Sequence, residues 1–141
     1  MILLDTNVIS EPLKLSADAG VLTWIDAQLV ETLFLSTISL AELRFGIAAL
    51  APGKRRDTLQ TSLEQRILPL FVGRILPFDA AASEAYAVLR ARARAQGKAI
   101  APADGYIAAT AASHGLIVAT RDTGPFEAAG LTVINPWNAQ H

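Results

Sequence analysis

The chain has 141 residues, enough to bury a core without disulfide or metal staples, and its length suits a single domain over residues 1–141. Hydrophobic residues make up 52% of it, yet charge, glycine or proline interrupts each apolar stretch well before the about 18 residues that a membrane span needs, so no membrane protein is expected. A formal net charge of -1 and the lack of cysteine exclude bulk attraction to nucleic acid or anionic lipid, a disulfide framework, a thiolate metal site and a thiol nucleophile. No basic and then apolar leader follows Met1, which makes the cytoplasm the expected location.

In chain order, the run "MILL" reads as a strand that runs directly into Asp5, Thr6 and Asn7. Val21, Leu22, Ile25 and Leu29 then recur at helical spacing around Trp24. "TLFLST" is a second strand, and "ISLAELRFGIAAL" a helix that stops at Pro52-Gly53. "KRRDTLQTSLEQRILPLF" reads as one further helix up to Gly73, "RILPF" as a third strand, and "AAASEAYAVLRARARAQ" as a helix to Gly97. "PADGYIAATAASHG" opens with a proline suited to a first turn and closes on a glycine. "LIVAT" and "LTVIN" complete the strands. Short, largely β-branched runs separated by helices predict an α/β fold with a parallel sheet buried on both faces, because parallel neighbours need crossover connections.

In an open parallel sheet, functional groups gather beyond the carboxyl ends of the strands. Asp5 follows the first strand there and Asp122 the fourth, while Glu42 and Asp104 lie early in helices that begin near a sheet edge. Each has a structural alternative. Asp5 can form an Asx turn, Glu42 stands at capping-box spacing from Ser39, Asp104 can complement its helix dipole, and Asp122 can shape the turn before Gly124-Pro125. Turn chemistry does not explain why an apolar strand runs straight into a carboxylate, since desolvation penalises an uncompensated charge. The only histidines are His114, near a helix end, and the terminal His141, so a zinc site of nitrogen and sulfur ligands is not expected. Oxygen ligands suit Mg2+, or alternatively Mn2+, and such a cluster can activate water and clamp a scissile phosphate.

Asp79 also follows an apolar run, but a long alanine-rich helix begins directly after it, and N-capping accounts for it. The cations Lys54, Arg55, Arg56, Arg90, Arg92, Arg94 and Lys98 read as solvated helix faces. Arg121, beside an acid, has the better claim to contact nucleic acid, with a salt bridge in the acidic cluster as the alternative.

"MILLDTNVISE", "STISLAELRFGI", "ADGYIAATAASHGLIVATRD" and "VINPW" resemble the PIN-domain nucleases, in particular the VapC-type toxins and among them the FitB-like branch. The likeness runs nearly end to end. It implies a three-layer α/β/α domain around a central parallel sheet. It places the family's acids on Asp5, Glu42, Asp104 and Asp122, with Asp5 and Asp104 the firmest metal ligands and Thr6 and Thr120 orienting a water or a carboxylate. It further implies an RNA substrate, a homodimer, and an antitoxin of ribbon-helix-helix type through which operator DNA is reached. Many relatives carry a second acid before the phenylalanine where this chain has Pro125 before Phe126, so the number of metals stays open.

The expected activity is that of a toxin: Mg2+-dependent endoribonuclease cleavage by water, with no side-chain nucleophile. A nuclease-silent corepressor that dimerises a DNA-binding antitoxin is the alternative. A haloacid-dehalogenase-type phosphatase would need an acid where Asn7 stands, and a dinucleotide binder would need a glycine-rich first turn.

Overall fold

A computed structural model describes residues 1–138, so His141 lies outside the described residues. The sheet is built from β1 (Ile2–Leu4), β2 (Leu33–Ser36), β3 (Ile75–Leu76), β4 (Ile117–Ala119) and β5 (Val133–Ile134), all parallel, in the order β3-β2-β1-β4-β5. Ile2 pairs with Leu33 on one side and Ile117 on the other. Successive residues of a strand point to opposite faces, and two separate cores form accordingly. Leu3 and Val118 enter one, Leu4 and Ala119 the other.

On the first face lie α5 (Ala80–Ala95), α6 (Pro102–Ser113) and α7 (Thr123–Ala128), which contribute Leu89, Ile107 and Phe126 to the core. On the second face lie α1 (Thr6–Ser10), α2 (Ala19–Asp26), α3 (Thr37–Ala48) and α4 (Lys54–Ser62), with Val8, Trp24 and Leu43 turned inward. Fully burying a side chain such as Phe126, Leu3 or Leu4 is worth about 1.5–3 kcal/mol, so both faces contribute to holding the layers together. Alanines at 108, 109 and 111 are fully buried and let α6 pack close against α5 and β4.

The expected strands and long helices are all present, with four differences. The stretch from Lys54 to Phe71 is not one helix. α4 ends at Ser62, a π-turn spans Leu63–Ile67 and a 3-10 turn spans Leu68–Phe71, because Pro69 has no N–H and its ring clashes with the carbonyl one turn back. α2 ends at Asp26, leaving Leu29 extended and exposed beyond it. Two short helices, α1 and α7, begin one residue after Asp5 and Asp122, where only turn chemistry was expected. Burial on both faces holds for β1, β2 and β4, whereas β3 and β5 are half-buried because they are the sheet edges.

The topology also locates a crevice. The chain moves outward from β1 through β2 to β3 and then returns to β4 on the other side of β1. Connections therefore leave the neighbouring ends of β1 and β4 toward opposite faces, which opens the sheet at its carboxyl edge.

Candidate functional site

Asp5 stands at that opening. Its N–H still donates across the sheet to the Ala119 carbonyl at 2.9 Å, while its own carbonyl already accepts from Val8 and Ile9 of α1. One carboxylate oxygen, Oδ1, accepts from the Thr6 N–H at 2.8 Å, which is the local turn bond expected of an aspartate. The other, Oδ2, accepts from Thr120 Oγ1 at 2.8 Å, a partner 115 positions away. A turn needs no such partner. The residue is only 5% exposed, and burial is the main cause that pushes its carboxyl up to about 6 from the usual 3.8. The bonds from Thr120 and Thr6 pull the other way, and the charges of Asp104 and Glu42 add to the rise.

Asp104 sits in the first turn of α6 behind Pro102. Its carboxyl is also raised, first by burial and then by the charges of Asp122 and Glu42. The charges that act on Asp5 and Asp104 thus come from acids on separate elements. Among the described residues none of them is ion-paired.

Glu42 does not close a capping box. β2 ends at Ser36, and it is Ser36 Oγ that accepts from the Ser39 N–H at 3.0 Å and caps α3, so the helix starts before Ser39. Glu42 Oε1 instead accepts from Thr6 Oγ1 at 2.7 Å, and that hydroxyl lies 3.0 Å from Ser39 Oγ. Asp122 precedes α7 without spending its side chain on a cap. Its N–H donates to Thr120 Oγ1 at 3.1 Å, so one buried hydroxyl orients Asp5 and fixes the backbone of Asp122 together.

Arg121 is exposed and makes no salt bridge to the cluster among the described residues. Its guanidinium lies over the Trp137 ring, 5.1 Å from the centroid. Asp79 caps α5 through a 3.0 Å bond from the Ala82 N–H, and His114 ends α6, both as expected.

Two residues escaped the sequence reading. Asn7 Oδ1 accepts from the Arg121 N–H at 3.2 Å, and its Nδ2 points at Thr120 Oγ1 at 3.5 Å, so it ties the ends of β1 and β4 together. Ser39 is fully buried against Thr6. Both look like ordinary turn or cap residues along the chain, and only their burial and distant partners set them apart.

No three acid or histidine side chains stand close enough, among the described residues, to enclose a metal by themselves. The donor set is nevertheless that of a hard cation. It consists of carboxylate oxygens only, and the Asp5 carboxylate is buried and held in place, the donor chemistry that suits a hard cation.

The PIN-domain family matches residues 2–131. The chain belongs to that family. A VapC ribonuclease of Sinorhizobium fredii is 63% identical over 137 residues, covering 97% of this chain and 98% of its own. Toxin FitB of Neisseria gonorrhoeae is 56% identical over 138 residues, covering 98% and 99%. A solved structure of FitAB bound to a DNA fragment contains a chain that superposes on this PIN domain with a TM-score of 0.96 at 54% identity, over 100% of this chain and 99% of that one. The α/β/α architecture around a parallel sheet is therefore the PIN fold that the sequence resemblance implied.

Proposed function

We propose that this PIN domain is the toxin of a type II toxin-antitoxin pair and an endoribonuclease that uses Mg2+, with Mn2+ able to replace it. One observation carries the reading: the Asp5 carboxylate is buried, oriented from two sides and faced by other carboxylates, with no cationic side chain paired to it among the described residues. A divalent cation bound there would offset this charge, polarise a phosphate and make water more acidic. Asp5 and Asp104 would hold it, and Glu42 and Asp122 would close the pocket.

The chain's own residues set the geometry in advance. Thr120 fixes one oxygen of Asp5, Thr6 fixes Glu42, and Asn7 holds the two strand ends in register. Both threonine hydroxyls donate to carboxylates, which commits them to orientation and leaves water as the nucleophile. Single-stranded or looped RNA fits best, since an exposed backbone can bend a phosphate into a narrow acidic pocket. The ribonuclease and toxin names of the full-length relatives support the same reading. The test is cleavage of a single-stranded RNA by purified protein. Activity should require Mg2+, stop in EDTA and be lost in Asp104→Asn; cleavage that persists through both changes overturns the proposal.

The DNA-bound FitAB relative favours a second role beside the first. In this reading a homodimer of the chain supports operator binding by a ribbon-helix-helix antitoxin, and it does so in the cytoplasm. Asp104→Asn should then keep antitoxin-dependent retardation of operator DNA in a gel. A pure corepressor would show that retardation with no Mg2+-dependent cleavage and no growth arrest on expression alone.

A further inference from the structure

An open groove of about 960 Å³ runs along α5 and the turn that joins it to α6. Arg90 and Arg94, one turn apart on α5, line it together with Lys98 from the turn beyond the helix end, and no carboxylate lines it with them. None of these cations is ion-paired among the described residues, so their charge is available in a chain whose net charge is only -1.

Each end of the groove abuts a chain segment that carries a site acid. At one end Tyr86 accepts a 2.6 Å bond from Arg90 Nη1 and stacks on Tyr106, with ring centroids 4.9 Å apart. Tyr86 also lies so near Gly105 that an added Cβ there would come within 2.9 Å of its ring, and Gly105 directly follows Asp104. At the other end Lys98 and Ala99 also line a depression of about 400 Å³ with Gly124, Pro125 and Glu127, just past Asp122. The basic strip therefore packs against the start of α6, where Asp104 stands, and against the segment that follows Asp122.

This arrangement answers an electrostatic difficulty. A pocket of carboxylates repels the polyanion it would have to cut, so nearby cations must hold the strand. Resting on the nuclease reading above, we infer that the groove is the track for single-stranded RNA flanking the cleaved bond. Arg90, Arg94 and Lys98 take its phosphates, with the Arg90 guanidinium held in place over the Tyr86 ring.

The test measures binding of a fluorescein-labelled single-stranded oligoribonucleotide, long enough to span groove and pocket, to the full chain in EDTA over a range of salt. Arg90→Gln, Arg94→Gln and Lys98→Gln combined should weaken binding at least about tenfold. At about 0.7 per phosphate contact, the combined change should reduce the slope of log affinity against log salt by about 2. A control with Lys54 and Arg56 changed to glutamine, set against the Arg90→Gln, Arg94→Gln pair, removes the same charge from α4 and should leave the slope unchanged. In Mg2+, the groove variant should cut a dinucleotide at the parental rate while its KM for the long strand rises.

An unchanged slope, or an equal loss in the α4 control, overturns the inference. So does a loss of RNA affinity that coincides with a shift from dimer to monomer in sedimentation, which would make the groove an interface between copies. If the parent binds the long RNA with the expected slope but cuts nothing in Mg2+, the nuclease reading fails and the track stands.

Discussion

Asp5 and Asp79 each follow an apolar parallel strand, and each caps the helix that starts there with a side-chain bond from a backbone N–H. Their surroundings differ because β1 lies at the centre of the sheet and β3 at its edge. At the centre, β4 brings Thr120 onto the second oxygen of Asp5, and α3 and α6 bring Glu42 and Asp104 near enough to raise its pKa. At the edge, Asp79 is exposed and makes only its cap. The same residue type in the same local role is thus structural at one strand end and a candidate ligand at the other, and strand order makes the distinction.

The comparison breaks most directly through activity. Asp5→Ala should reduce Mg2+-dependent RNA cleavage to background, whereas Asp79→Ala should leave it at the parental rate, as read in a gel assay of a labelled single strand. Equal loss in both variants would mean that the centre and edge positions are not functionally distinct.

Stability against pH should separate the two residues next. The Asp5 carboxyl rises from 3.8 to about 6 on folding, so without a cation the folded state binds the extra proton between those pH values. Its contribution is fully present below pH 3.8 and is lost as pH rises through about 6, a difference on the order of 3 kcal/mol. Chemical denaturation in EDTA should therefore show a component of stability that falls from pH 4 to pH 7. Asp5→Asn should abolish that component, and Mg2+ should restore stability at pH 7 to the parent alone.

The hydroxyl that distinguishes the two strand ends offers a finer probe. Thr120→Val keeps the shape but removes the bond to Asp5 Oδ2 and the acceptor for the Asp122 N–H. The expected loss in activity or Mg2+ affinity is about 10- to 100-fold, with the Mg2+ concentration at half-maximal rate shifted upward. The smallest effect belongs to the edge. Asp79→Ala should cost about 1 kcal/mol of stability in denaturant unfolding, as loss of a helix cap does.

Much of this arrangement is legible along the chain. "MILL", "TLFLST" and "LIVAT" are short, apolar and uninterrupted because their strands are covered on both faces, and the helices between them announce parallel order. Asp5 is conspicuous because it ends such a run. Glu42 is harder, since its spacing from Ser39 imitates a capping box that Ser36 pre-empts. The break at Leu63–Phe71 was marked by Pro69, but the flanking helical periodicity masked it. Arg121 is adjacent to Asp122 in sequence yet stacks on Trp137, because a long side chain follows the nearest flat ring rather than its neighbour in the chain.

The sequence by itself determined the layers, the parallel strands and the carboxylates available to a hard cation, since periodicity, burial and turn chemistry act over a few residues at a time. Tertiary structure decided that β4 lies beside β1, that Thr120 reaches Asp5 at the end of the first strand, and that Asn7 ties that end to Arg121 beyond β4. Those contacts join residues far apart in the chain, and no local pattern encodes them. They exist because the order of the strands brings the chain back to the other side of its first strand.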